Sequence, residues 1–162
     1  MTLDEFFGID VPATLGSHRF TAEAIKAFAA KYDPQPFHLD EEAAARSVFG
    51  RLCASGWHTA ATWMRYNIQP AGGVHVPTWA GPGSRPEFGP SPGFRNLRWP
   101  RPVFAGETIT FTRTSVAHRP LASKPGWRLL TGRAEGFDST GGTVLEFETS
   151  VLVKASAEPA QG

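Results

Sequence analysis

The chain of 162 residues holds one cysteine, Cys53, and two methionines. A single cysteine excludes an internal disulfide framework and any metal knot built on several thiolates. An excess of one charge is missing too: sixteen Lys and Arg stand against fifteen Asp and Glu, a net charge of +1 with histidine neutral. Nucleic-acid binding needs a basic excess gathered on one face, so that class of partner is set aside. No apolar run approaches the ~20 residues that a membrane span requires. Met1 to Asp10 carries no basic stretch leading into an apolar one, and no secretory signal is read there. These absences give the expectation of a soluble, reduced, cytoplasmic protein with no nucleic-acid and no membrane partner. Without a fixed-period repeat or a long linker, one domain is expected over residues 1–154, with the small, polar stretch 155–162 as a tail.

The hydrophobic share is 41%, enough to build a core. Thr21 stands where an N-cap belongs, and Ile25, Phe28, Ala29 and Tyr32 then recur with helical spacing. Pro34 and Pro36 are expected to end that helix. Asp40 is placed to cap a short helix over residues 41–47. A third helix is expected from Ser55 or Gly56, with Trp57, Ala60, Ala61 and Met64 on one face. So little charge lies on any side of it that burial on most sides is expected. Residues 68–93 hold twelve Gly or Pro in 26 positions, which predicts loop with a short strand around residues 74–79. The period then changes to two. Residues 109–116, 127–137 and 145–153 read as strands, the last two joined by a turn at Asp138-Ser139-Thr140-Gly141-Gly142. Helices first and antiparallel strands second predict an α+β fold, helix packed on sheet.

Two clusters carry polar chemistry. In Asp33-Pro34-Gln35-Pro36-Phe37-His38, two prolines separate an Asp from a His five residues on. The prolines restrict the backbone and lower the entropy lost in fixing both side chains. Asp and His are a pair able to hold one water and move its protons near neutral pH. The same residues also suit a plain helix end and turn, each bonding only backbone. The second cluster is Phe49-Gly50-Arg51-Leu52-Cys53-Ala54-Ser55-Gly56-Trp57. Small residues before a helix leave N–H groups free at its positive end, where a carbonyl gaining charge is stabilised. Ser55 as an ordinary N-cap is the other reading of it.

Together, Asp33-x-Gln35-Pro36-x-His38 and Phe49-Gly50-Arg51-x-x-x-Ser55-Gly56 resemble the signature of MaoC-like dehydratases, which include the (R)-specific enoyl-CoA hydratases. That signature is written D-x-N-P-x-H with a later F-x-x-x-x-x-H-G. The likeness continues through Leu97 to Val103 and through Gly106-Glu107-Thr108, similar to a strand entry and a G-D-T turn of the family. The resemblance implies a hot-dog fold, a long central helix wrapped by an antiparallel sheet, paired as a homodimer. It implies Asp33 and His38 as the catalytic pair, adding or removing water between 2-enoyl and 3-hydroxyacyl thioesters. It implies Gly56 N–H as the donor to the thioester carbonyl. No metal and no redox cofactor are implied; coenzyme A or an acyl carrier enters as part of the substrate. Three positions depart from the pattern: Gln35 replaces the asparagine, Ser55 the histidine before the glycine, and Met64 a serine found two turns into the helix. Thr59 and Thr62 are the candidate substitutes for that serine, and Ser55, Phe37 and Trp57 are further candidate support or pocket residues.

Other features point elsewhere. Cys53 sits among small residues as a buried hydrophobe does. Cys53 also occupies the place where a G-x-S-x-G elbow around Ser55 would need glycine, against a triad hydrolase. The histidines show no metal-ligand spacing, and His58 reads as a packing or surface residue. Trp79, Phe88 and Phe94 suit an acyl channel, a dimer seam or a satellite core. Arg95, Arg98 and Arg101 suit a cofactor mouth or solvated strand ends. Two other functions remain open at this point: a hot-dog thioesterase, and a non-catalytic acyl-thioester binding subunit.

Overall fold

The computed structural model describes residues 1–71 and 77–155. Thr2 opens the first helix, α1 (Leu3–Phe7), with a capping box: its hydroxyl accepts from Glu5 N–H, and the Glu5 carboxylate accepts from Thr2 N–H. Strand β1 (Pro12–Arg19) follows, then α2 (Ala22–Tyr32), capped by the Thr21 hydroxyl on Ala24 N–H. Asp33 closes α2. Pro36 does not simply stop a helix but begins one, α3 (Pro36–Leu39), because at the first helical position its missing N–H has no partner to lose. Asp40 caps α4 (Glu41–Ala45) through Ala43 N–H, a shorter helix than the sequence suggests. The longest helix is α5 (Gly56–Ile68), and the strands β2 (Glu87–Phe88), β3 (Gly93–Arg98), β4 (Thr108–Pro120), β5 (Trp127–Phe137) and β6 (Thr143–Lys154) complete the order.

The strands form one antiparallel sheet in the order β1-β4-β5-β6-β2, with β3 also paired to β6. The three strands read from alternation are its centre, and Asp138 ties the β5–β6 turn by accepting from Thr140 N–H and Gly142 N–H. Helices do not precede all the strands, however. β1 lies before α2 and forms the edge beside β4. Its alternation is weak because Leu15 alone is fully buried and the register slips between Thr14 and Gly16. β2 and β3 also fall within or beside the stretch expected to be loop. Of the strand expected around residues 74–79, positions 74–76 lie outside the described residues, and 77–79 are irregular.

The inner face of the sheet carries two apolar clusters. One gathers Leu15, Phe20, Ile25, Trp63, Ile109, Phe111, Leu145 and Phe147 around α5. The other, toward the opposite strand ends, packs Leu3, Phe6 and Phe7 of α1 on Leu130 and Val153, with Trp79 beside them. Ala155 is buried in that second cluster and donates to Gly126 O, so the packed chain extends one residue beyond the expected 154. No helix among the described residues is long and apolar enough to cross a membrane.

The face that α5 buries is the reverse of the apolar stripe seen in sequence. His58, Thr59, Thr62 and Trp63 are buried, whereas Trp57 and Met64 are 51% and 47% exposed. Burial of the threonines is tolerated because each hydroxyl bonds back to its own helix, Thr62 to His58 O at 2.8 Å and Thr59 to Ser55 O at 3.5 Å. Trp63 anchors the face: its indole N–H donates to Thr112 O at 2.9 Å and its ring meets Phe147 edge-on. Trp63→Ala is therefore expected to lower the unfolding free energy by about 3–5 kcal/mol. Met64→Ala should change it by less than about 0.5 kcal/mol. Urea titration of both variants checks the assignment, which equal losses would overturn.

Candidate active site

The segment Leu52–Ala54, just before α5, is stitched on two sides. Ala54 N–H donates to Val103 O and Ala105 N–H to Leu52 O, at 2.7 and 3.0 Å, and Cys53 N–H reaches Phe37 O at 3.3 Å. These bonds fix the entry to α5 between the loop before β4 and α3. They also set the Cys53 carbonyl against His38, whose Nδ1 lies 2.6 Å away. A carbonyl oxygen only accepts, so Nδ1 carries the hydrogen. The other ring nitrogen, Nε2, faces Asp33 Oδ2 at 3.4 Å. His38 is buried, and Phe37 walls it edge-on with ring centres 4.6 Å apart.

Asp33 divides its two oxygens. Oδ1 accepts from Gln35 Nε2 at 2.7 Å, while Oδ2 is the oxygen nearest His38. Burial works against ionisation of this carboxyl. Hydrogen bonds from Ser55 and Gln35 and the charge of His38 outweigh it and hold the pKa below the usual carboxylate range. With neutral imidazole, Nε2 and Oδ2 are both acceptors, and their approach requires a shared hydrogen. Either the ring is protonated, or a water donates one hydrogen to each.

Ser55 is fully buried and caps α5, its hydroxyl accepting from Trp57 N–H at 3.2 Å. The capping role and the support of Asp33 therefore fall on one side chain. Gly56 is the first helical residue, and its N–H has no acceptor among the described residues. A Cβ at Gly56 would lie 2.4 Å from ring atoms of Trp99, which stands across the Gly56 Cα. Trp57 meets the same indole edge-on at 5.1 Å. Trp99 lies in the stretch Leu97 to Val103 that resembles the family, but nothing in the sequence placed it over Gly56, because its position depends on the loop between β3 and β4. Tyr32 and Trp57, chain neighbours of Asp33 and Gly56, join Phe28, Ala60 and Ala61 around an open apolar recess of about 570 Å³.

The remaining candidates have other tasks. The Thr59 and Thr62 hydroxyls are turned onto their own helix and away from the site. His58 is packed between aromatic rings, stacked on Phe28 at 4.6 Å, and burial, with the charge of His18 adding, pushes its pKa down to about 4. Cys53 is buried, which pushes its thiol up to about 11 and leaves it no thiolate for nucleophilic chemistry. Arg101 pairs with Glu107 and Asp138, Arg98 lies 3.9 Å from Glu146, and Arg95 stands opposite Glu148 in the ladder. Arg101 is therefore engaged within the fold, while Arg95 and Arg98 are solvated strand charges. Trp79 and Phe88 pack on Phe6 as a satellite core, and Phe94 meets Phe147. No group of three or more His, Cys, Asp or Glu among the described residues is placed to hold a metal ion.

A family model described as MaoC like domain matches residues 10–125, from before β1 through β4. The chain belongs to the MaoC-like family. Its structure is similar to a MaoC-like dehydratase from Rhodospirillum rubrum, with 34% identity, 98% of this chain and 99% of that one covered, and a TM-score of 0.78. It is similar to an (R)-hydratase from A. caviae involved in PHA biosynthesis, with 27% identity, 88% and 94% coverage and a TM-score of 0.59. An unliganded R-hydratase from Pseudomonas aeruginosa, 22% identical over 93% of this chain and 83% of that one with a TM-score of 0.61, shares the fold. No curated protein matches the chain. The curled antiparallel sheet around α5 is thus the hot-dog fold that the resemblance implied, and the MaoC-like assignment stands.

Two variants test the geometry. Ser55→Ala removes a bond that favours ionised Asp33, so the Asp33 pKa rises toward its ordinary value. The stabilisation from a depressed carboxylate pKa is present above the unfolded pKa and lost as pH falls through the folded one. In Ser55→Ala that loss, and the acid limb of activity, should move to higher pH, and the missing cap should lower stability by about 1 kcal/mol. An unmoved acid limb would separate Ser55 from Asp33. Gly56→Ala should displace Trp99 and destabilise by about 1–3 kcal/mol, most of it restored when Trp99→Ala is added. A double mutant no more stable than Gly56→Ala would show that Trp99 is not what the methyl meets.

Proposed function

We propose that this protein is an acyl-thioester hydratase or dehydratase, a hydro-lyase adding or removing water between a 2-enoyl and a 3-hydroxyacyl thioester. The observation that carries the reading is the His38 Nε2 to Asp33 Oδ2 separation of 3.4 Å, with Nδ1 committed to the Cys53 carbonyl. A water seated to one side of the pair, against both acceptors, donates to each and turns a lone pair toward Cβ. His38 Nε2 takes one proton as the oxygen bonds to Cβ, and Asp33, kept ionised, holds the second hydrogen in line. The π electrons move through Cα onto the thioester oxygen. Gly56 N–H at the positive end of α5 stabilises that oxygen, a contribution of about 3 kcal/mol for one such donor in comparable sites. Collapse of the enolate takes the proton from Nε2 to Cα, and His38 is neutral again.

The addition of water moves no electrons between molecules, and the thioester supplies its own activated carbonyl. The reaction therefore needs neither a metal nor a redox cofactor. The catalytic set is Asp33 and His38, with Gly56 as carbonyl donor and Ser55 and Gln35 fixing Asp33. We take the working form to be a cytoplasmic homodimer acting on a coenzyme A or carrier-bound substrate.

Loss of the conjugated enoyl-thioester absorbance gives the direct test. Asp33→Asn and His38→Ala are each expected to lower kcat by about 10²–10⁴-fold; His38→Ala also loses the buried bond to the Cys53 carbonyl and melts lower, so Asp33→Asn is the cleaner probe of the chemistry. Release of free thiol in place of hydration would indicate a thioesterase. Thioester binding without turnover, the same in wild type and Asp33→Asn, would indicate a binding subunit.

A further inference from the structure

The head of α5 has a second free donor beside Gly56. Trp63 and Trp79 each give their indole N–H to a backbone carbonyl, whereas the Trp99 N–H meets no acceptor among the described residues. Trp99 is partly exposed, so an incoming molecule can reach it. The atoms of Trp99 nearest to a Cβ built on Gly56 are Cδ2 and Cε2, the bond its two rings share, and then Nε1 at 2.8 Å. That set of atoms means that the Gly56 Cα lies over the face of the indole, close to its nitrogen.

Two lengths decide whether one oxygen can serve both donors. A Cβ stands about 2.5 Å from the amide nitrogen of its own residue, so Gly56 N and Trp99 Nε1 are at most about 5.3 Å apart. An oxygen about 2.9 Å from each of two donors bridges up to about 5.8 Å. The direction agrees as well. In a helix the Cα–Cβ bond leans toward the N-terminus, and the first N–H groups point the same way. The indole that a Gly56 Cβ would meet therefore stands at the end of α5 toward which the Gly56 N–H is aimed.

The ring is held from both sides. Before it, Arg98 ends β3 opposite Glu146 of β6. After it, Pro100 restricts the Trp99 backbone, Arg101 binds Glu107 and Asp138, and Val103 O accepts from Ala54 N–H. Trp57 meets the indole edge-on. A donor fixed in advance needs no reorganisation when charge develops on its acceptor. We propose that the Trp99 indole N–H is a second catalytic donor to the thioester carbonyl, converging with Gly56 N–H on the oxygen that becomes the enolate. The inference rests on the hydratase reading and deepens it. The indole keeps its hydrogen throughout, and its bond strengthens as the oxygen gains charge, so it acts on kcat more than on KM. A ring that merely packs over Gly56 and Trp57 would use its outline and not its nitrogen.

The test removes the N–H and keeps the ring. Trp99→Phe leaves an aromatic face over Gly56, and Trp99→benzothienylalanine, with sulfur in place of the N–H, leaves the whole outline. One readout is hydration of 2-enoyl-CoA thioesters. The other is the infrared carbonyl stretch of a carbonyl-labelled saturated acyl-CoA, which binds without reacting. Both variants should lower kcat by about 10²–10³-fold with KM nearly unchanged. The bound carbonyl should absorb at lower frequency in wild type than in either variant, because a second donor weakens the C=O bond. Either readout unchanged in the benzothienylalanine protein overturns the inference, as does a loss confined to KM. Should Trp99→Phe fail to fold, the benzothienylalanine protein decides. A carbonyl shift without hydration of any enoyl thioester would sink the hydratase reading and leave the second donor standing, whereas a wild-type protein that binds no acyl-CoA sinks both.

Discussion

The hydrogen bond from His38 Nδ1 to the Cys53 carbonyl joins two pieces of chain that would otherwise be independent, and the site's chemistry follows from it. On one side lies the stretch from the end of α2 through α3, with Asp33 at its start and His38 within α3. On the other lies the short ladder of Leu52–Ala54 against Val103–Ala105, which delivers Ser55 and Gly56 to the head of α5. At 2.6 Å and buried, this bond is sheltered from water, where its electrostatic worth is greatest. It also chooses the tautomer. Were Nδ1 free, the ring could rotate or exchange its hydrogen, and Nε2 would not stand as a lone pair toward Asp33. Cys53 therefore matters for its carbonyl, and its thiol is a small buried filler.

Asp33 shows how a changed supporting shell keeps the same arrangement. Its pKa is lowered although burial alone would raise it, because three neighbours favour the charged form. Gln35 is one methylene longer than the asparagine of the family pattern and still reaches Oδ1 from two residues away. Ser55, where the pattern has histidine, supplies a hydroxyl that both caps α5 and supports the carboxylate. Occupying Oδ1 leaves Oδ2 to face His38, so one oxygen is held by Gln35 and the other stands toward the imidazole. The departures from the pattern are replacements that conserve donors, and the electrostatic outcome at Asp33 is retained.

The parts of this fold visible in sequence are those where one physical cause dominates. β4, β5 and β6 alternate because each buries one face, and the Asp138 turn is marked by its glycines and acceptors. The Asp33 and His38 pair was visible because prolines and two polar side chains share six residues. β1 and β3 were not, since their stability lies in ladder bonds to β4 and β6 while most of their side chains face solvent. α1 left a legible trace in the Thr2-x-x-Glu5 capping box, which is brief and easily passed over. The buried face of α5 was hidden by chemistry: Thr59 and Thr62 count as polar in any pattern, yet their hydroxyls are satisfied within the helix. Trp99 over Gly56 depends on a loop trajectory that no local pattern encodes.

The same logic separates the arginines. Arg95, Arg98 and Arg101 drew attention as a run of charge, but Arg101 is bound to Glu107 and Asp138 and the other two stand on the exposed side of β3. Arg113 sits alone in a stretch of threonines and attracts no notice as a motif. Its distinction appears only when the ladder sets it between Ala13 and Ala134 and turns it under α5 toward Asn67. A strand interior in a small hot-dog domain is ordinarily filled with apolar side chains, as Phe111 and Phe147 fill theirs. Arg113 is tolerated at such a position because it is only part-buried and its Nη1 is held by Asn67 Oδ1, so its long side chain spans the apolar face while the guanidinium stays hydrogen-bonded.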